Sequence, residues 1–93
     1  MNILCTPLYE TQLKEILSHF ADEDFKAAKA FKLYLDTIII NIQTKAHKYK
    51  TSIYFSDENI KDIQHEGFTI VFYEDKVNQN YLLITIISTN SND

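Results

Sequence analysis

Residues 67–88, GFTIVFYEDKVNQNYLLITIIS, contain two apolar runs separated by a polar hexapeptide. Both runs are rich in β-branched and aromatic residues, which favour strands. The hexapeptide DKVNQN at 75–80 is typical of a hairpin turn. This stretch therefore predicts two neighbouring antiparallel strands, at 68–74 and 81–88.

The sequence immediately before this hairpin predicts a third strand at 60–64, with Gly67 marking the gap. Residues 44–59 are mainly polar, interrupted by the triplet Ile53-Tyr54-Phe55, and are expected to form mainly a loop.

The last predicted strand is apolar on both faces. Side chains alternate between faces in a strand, which gives one set of Leu82, Ile84 and Ile86 and an opposite set of Tyr81, Leu83, Thr85 and Ile87. One face is expected to pack on helices. The other, taken to be the second set, is too apolar to be left in water without a reason, which predicts a partner.

The N-terminal half predicts a strand at residues 2–5 followed by a first helix. Thr6 is suited to the N-cap and Pro7 to the first helical position, where its missing N–H costs nothing. Apolar residues then recur at helical spacing, and the helix is expected to end at about His19 or Phe20.

A second helix is expected after Asp22-Glu23-Asp24, whose carboxylates suit the positive end of a helix dipole. Its apolar stripe, most simply a core face, consists of Ala28, Phe31, Leu35, Ile38 and Ile42. The short gap between the helices predicts an antiparallel hairpin.

This order predicts one α+β domain over residues 1–93: an N-terminal strand, an antiparallel helix hairpin, and a three-stranded antiparallel meander completing one sheet. Residues 88–93 are expected to be a frayed tail.

Six segments, in this order and spacing, resemble the RelE/ParE superfamily of toxins from bacterial type II toxin–antitoxin systems. They are residues 6–17, 27–32, 48–55, 58–63, 67–72 and 82–87. The resemblance implies a toxin that a small antitoxin neutralises by wrapping across the sheet and helices. It leaves two mechanisms open: RelE-type cleavage of mRNA on the ribosome, and ParE-type poisoning of DNA gyrase.

The charge pattern favours binding over nuclease chemistry. The net charge is −4, and all nine basic residues are lysine. The resemblance places Thr69, and the segment Ser88-Thr89-Asn90-Ser91, where RelE-type members carry arginine, histidine or tyrosine. Lysine does not offer the bidentate contact that arginine makes with phosphate.

A ribonuclease site would have to use the remaining candidates, which are Lys48, Lys50, Lys61, His47 and His65, with Tyr54 and Tyr73 stacking on bases. The competing interpretation is a solvated basic loop beside an ordinary strand lysine. Partner contacts are instead expected at Tyr54, Val71, Tyr73, Leu83, Thr85 and Ile87. Self-association, or cover by the chain's own tail, are the alternatives for that surface.

Other reactive side chains receive structural interpretations. His19 is expected to act as a cation at the end of the first helix, and Cys5 to be a small buried residue in the first strand. The histidines lack metal-ligand spacing, so neither a metal nor a cofactor is expected. The N-terminus shows no signal-peptide pattern. Apolar runs elsewhere in the chain, such as 38–40, are too short to span a bilayer, and we therefore expect a cytoplasmic protein.

The sequence thus predicts a gyrase-type toxin with a cognate antitoxin as its partner. An mRNA-cleaving enzyme acting with the ribosome, and a non-toxic module that only binds antitoxin, remain the alternatives. A dimer and a toxin–antitoxin hetero-oligomer both stay open.

Overall fold

The computed structural model describes residues 2–88. Its elements are β1 (Asn2–Cys5), α1 (Pro7–Glu23), α2 (Phe25–Lys45), a 3₁₀ turn (Ala46–Lys48), β2 (Ile60–His65), β3 (Phe68–Asp75) and β4 (Asn80–Ser88). Within these residues the strands form one four-stranded sheet in the order β1-β4-β3-β2. β1 is parallel to β4, and the other pairs are antiparallel. The predicted α+β fold is confirmed; the expected tail beyond Ser88 lies outside the described residues.

The start of α1 is as predicted, whereas its end is not. Thr6 caps the helix, since its side-chain oxygen accepts a hydrogen bond from Tyr9 N at 3.0 Å, and Pro7 occupies the first turn. The helix continues to Glu23, beyond the expected end at His19 or Phe20. It stops where Asp24 adopts an extended conformation.

Asp24 alone provides the cap that the acidic triplet was expected to supply. Its carboxylate accepts a hydrogen bond from Ala27 N at 3.1 Å and starts α2. Asp22 and Glu23 belong to the last turn of α1. The interpretation of His19 as a terminal cation was wrong, because it precedes the last turn and lies 3.7 Å from the Glu23 carboxylate in an exposed pair.

The helix hairpin buries one face of the sheet, which we call the helix face. The predicted stripe on α2 is in this core, with Ile38 partly buried. The fully or almost fully buried residues of the cluster include Leu35, Ile42, Ile70, Phe72, Leu83 and Ile86. Burial of each such side chain contributes about 1.5–3 kcal/mol to stability.

A β-bulge in β4 changes which of its side chains face the helices. Val71 pairs with Thr85 and Phe72 with Leu83, so Ile84 is an extra residue with no partner on β3. Leu83 before the bulge and Ile86 after it both lie in the core. Uniform alternation was therefore the wrong expectation for this strand.

The first turns of α1 close the edge of β4 that β1 leaves open, since β1 pairs only with residues 80–83. Thr6 donates from its backbone N–H to Leu83 O at 3.0 Å and from its hydroxyl to Ile84 O at 2.6 Å. Gln12 Oε1 accepts hydrogen bonds from Ile86 N at 3.1 Å and Thr85 Oγ1 at 2.6 Å. The bulge and the helix start thus satisfy each other's polar groups.

A tight turn completes the sheet. Glu66 and Gly67 both have positive φ, 46° and 83°, as a two-residue hairpin turn between β2 and β3 requires.

Cys5 was expected to be buried, but it is exposed because β1 is an edge strand. Partial burial raises the pKa of its thiol, with a smaller contribution from the Glu10 carboxylate. Within residues 2–88, neither helix is long and apolar enough to span a bilayer.

Candidate partner-binding face

An apolar row crosses the face of the sheet that the helices leave uncovered, which we call the outer face. Leu4 pairs with Leu82, Leu82 with Tyr73, and Tyr73 with Ile60, so the row includes one residue from each strand. Their sequence neighbours Phe72 and Leu83 lie in the helix-side core, and alternation therefore directs the row outward.

The row is only partly shielded from solvent. Leu4 is 47% exposed, and Leu82, Tyr73 and Ile60 are half-buried. Ile87, further along β4, is also half-buried. The row is thus an apolar surface that the described part of the chain does not fully cover.

The predicted contact residues differ in how much of each side chain is exposed to a partner. Tyr73 and Ile87 retain exposed surface on the outer face, and Tyr54 is exposed in the loop before β2. Leu83 is 1% exposed in the core, so its predicted outward orientation was wrong. Val71 has no exposed surface, and Thr85 is hydrogen-bonded to Gln12, so neither is presented as expected.

The sequence reasoning missed Leu4, Leu82 and Ile60 as members of this surface. Leu82 was assigned to the opposite face because the bulge was not recognised. Leu4 and Ile60 join the row only through strand register, which the tight Glu66-Gly67 turn helps to set.

Lys61, a candidate nuclease residue, forms a hydrogen bond and an ion pair within the protein on the helix face. Its Nζ donates to Ala46 O at 3.1 Å and lies 3.4 Å from the Glu74 carboxylate, and its side chain is only 15% exposed. The lysine thereby ties β2 and β3 to the end of α2. Next to this pair, burial raises the pKa of Tyr81, and the Glu74 carboxylate raises it further.

His65 is also packed on the helix face. Its ring lies 5.2 Å from the Phe31 ring, its side chain is 11% exposed, and its Nε2 is 3.5 Å from Glu66 Oε2. Lys61 and His65 are four residues apart on β2, which separates them by about 13 Å.

The remaining nuclease candidates lie on the surface before β2. His47 and Lys48 belong to the 3₁₀ turn and are exposed, as is Lys50. The five nuclease candidates, three lysines and two histidines, are thus not brought together at one point on the outer face. Among residues 2–88, no three or more His, Cys, Asp or Glu side chains are arranged to hold a metal ion.

No family model matches the sequence, and no curated protein matches it. Among solved structures, the chain is similar to one described as "Chromosomal ParDE TA system from P. aeruginosa". The TM-score is 0.72 at 12% sequence identity, and the match covers 95% of each chain. The protein therefore has a ParE-like α+β fold, and the fold that the RelE/ParE resemblance implied is confirmed.

Proposed function

We propose that this protein is the toxin of a type II toxin–antitoxin pair, which arrests growth by binding a host target and is neutralised by a cognate antitoxin. The observation that carries the proposal is the apolar row Leu4–Leu82–Tyr73–Ile60 on the outer face. The neighbour with the same fold comes from a ParDE toxin–antitoxin system, which supports this class of function.

The antitoxin is proposed to cover the outer face. A partner segment lying across the four strands would remove Leu82, Tyr73 and Ile60 from water at about 25 cal/mol per Å² of apolar area. Tyr73 adds a large, rigid anchor of the kind that dominates binding energy at interfaces. Within residues 2–88 this surface is covered only in part.

The target is proposed to be DNA gyrase, as in ParE-type toxins, with binding rather than catalysis as the mode of action. The structure supports this preference through the chemistry of the outer face. Strand positions there alternate with core residues and are apolar, neutral or acidic, as at Ile60, Gln64 and Asp62. A site that cleaves RNA needs cations around the reacting phosphate, whereas Lys61 is paired with Glu74.

Induction of the full chain in a bacterial host without antitoxin tests the proposal. New DNA and new protein are pulse-labelled over the first minutes. Early arrest of DNA synthesis, with an induced DNA-damage response, is the expected result.

Two other outcomes would replace the proposal. Early arrest of protein synthesis with cleaved mRNA would favour a ribosome-dependent ribonuclease, and Lys50→Ala would then be the first variant to examine. Normal growth while soluble protein accumulates would indicate a non-toxic module that only binds antitoxin.

A further inference from the structure

Three consecutive side chains, Ile53, Tyr54 and Phe55, are exposed in the loop before β2, and we call them the loop tip. Ile53 is 81% exposed, and both aromatic residues are also exposed. Large apolar side chains grouped in this way at a loop apex are unusual on a surface that contacts only water.

The backbone beneath the loop tip is fixed to β2. Ser52 N donates to Ile60 O at 2.7 Å, and Ile53 N donates to a carboxylate oxygen of Asp62 at 3.1 Å. Tyr54 N donates to Ser52 Oγ at 3.1 Å. The backbone of residues 52–54 is therefore anchored before any partner arrives, which lowers the entropic cost of binding.

Exposed cations precede the loop tip. Lys48 and Lys50 are exposed, and neither forms an ion pair within residues 2–88. The Asp57 carboxylate on the other side accepts a hydrogen bond from Asn59 N at 2.8 Å and shapes the turn. On the side of Lys48 and Lys50 the apex is complementary to an apolar pocket with acidic residues at its rim, whereas the exposed carboxylates of Asp57 and Glu58 make its other side acidic.

We infer that the loop tip is the element that binds the growth-control target, with Ile53 entering an apolar pocket of an acidic-rimmed protein surface. The inference rests on the proposed toxin function and separates the target-binding element from the outer face assigned to the antitoxin. Tyr54 and Phe55 could stack on bases, but Ile53, the most exposed of the three side chains, is aliphatic and suits an apolar protein pocket. The proposal of a protein target therefore rests on Ile53.

Ile53→Ser tests the inference in the full chain. Because the side chain is exposed, the fold is expected to persist, and circular dichroism and thermal melting check this. Loss of an anchor of this kind typically weakens binding about 30-fold. The variant is expected to lose growth arrest at the inducer level at which the wild type arrests, while its affinity for antitoxin stays within about twofold.

Val77→Ser is the matched control, because Val77 is 91% exposed in the β3–β4 turn and carries the same kind of change. It is expected to remain as toxic as the wild type. Lys50→Glu tests the rim charge and should reduce toxicity, whereas Lys76→Glu in the β3–β4 turn should not.

Each result has a defined meaning. If Ile53→Ser is folded and as toxic as the wild type, the role of the loop tip is refuted while the toxin function stands. If Tyr54→Leu abolishes toxicity, mRNA is cleaved and Ile53→Ser is fully toxic, the tip stacks on nucleic acid and the inference is overturned. If the wild type itself does not arrest growth, the proposed function fails and the inference fails with it.

Discussion

The two faces of the sheet are built from the same strands but end in different environments. On the helix face, Ile70, Phe72 and Leu83 are sealed under α1 and α2. On the outer face, Tyr73 and Leu82 alternate with these residues and keep part of their surface in water. Folding of the described chain seals the first face completely, whereas on the outer face it buries Val71 but leaves the row partly exposed.

This difference separates stability from binding. Side chains on the helix face are held by the packing of the hairpin, so changes there are expected to act on folding. Side chains of the row Leu4–Leu82–Tyr73–Ile60 contribute less to the fold because they are partly hydrated already. Changes in the row are expected to act on a partner instead.

The largest expected effect compares adjacent residues of β4. Leu83→Ala should lower the free energy of unfolding by about 2–5 kcal/mol, since it empties a buried site. Leu82→Ala on the outer face should cost about 1 kcal/mol or less, because part of the side chain is already in water. Urea denaturation of both variants measures the contrast, and equal losses would contradict the assignment of the two faces.

The second prediction concerns the edge of β4 next to the bulge. Gln12→Leu removes the acceptor shared by Ile86 N and Thr85 Oγ1 and should cost about 2 kcal/mol, since a buried donor is left unpaired. Thr85→Val removes only the hydroxyl and should cost less. Additive losses in the double variant would show that the two residues do not act together.

Much of the fold follows from local signals in the sequence. Thr6-Pro7 marks the start of α1 because a capping hydroxyl and a residue without N–H suit the same point. Asp24 marks the start of α2 in the same way, and Glu66-Gly67 marks a tight turn. Each of these signals depends on a few neighbouring residues.

The candidate site could be predicted only in part because it depends on contacts distant in sequence. The bulge at Ile84 is stabilised by Thr6, 78 residues earlier, and it moves Leu83 to the core. Similarly, Lys61 is not a free surface cation, because the register between β2 and β3 places Glu74 beside it. The end of α1 was misplaced because its last turn contains no helix-breaking residue.

The third prediction concerns Tyr9 of α1, which is buried in the core between the helices and the sheet. Burial raises the pKa of its phenol, with smaller contributions from Cys5 and Asp36. The folded state retains this proton, so its stabilising effect is complete below about pH 10 and is lost as the pH rises further. The decrease in the free energy of unfolding approaches about 1.4 kcal/mol per pH unit for one such group.

Tyr9→Phe should therefore flatten the fall in unfolding free energy above about pH 10, measured by urea denaturation across that range. Tyr81, whose pKa is also raised, is expected to supply the remaining slope. Tyr34→Phe, at an exposed tyrosine of α2, is the matched control. An unchanged slope in Tyr9→Phe would refute the role of Tyr9.

The smallest expected effect concerns the Asp24 cap between α1 and α2, the two helices that cover the helix face of the sheet. Asp24→Ala removes the acceptor for Ala27 N and should cost about 1 kcal/mol. Asp22→Ala, in the last turn of α1, should be neutral or slightly stabilising, since a carboxylate is unfavourable at a helix C-terminus. Thermal melting distinguishes them, and equal shifts would contradict the boundary at Asp24.

The central claim is that the outer face is the antitoxin site, and neutralisation of Leu82→Glu by co-expressed antitoxin tests it most directly. A charge in the middle of the apolar row should leave the fold and the toxicity intact but prevent rescue of growth, whereas Val77→Glu should be rescued like the wild type. If antitoxin rescues cells that express folded, toxic Leu82→Glu as well as it rescues the wild type, the antitoxin does not depend on this face and the account is wrong.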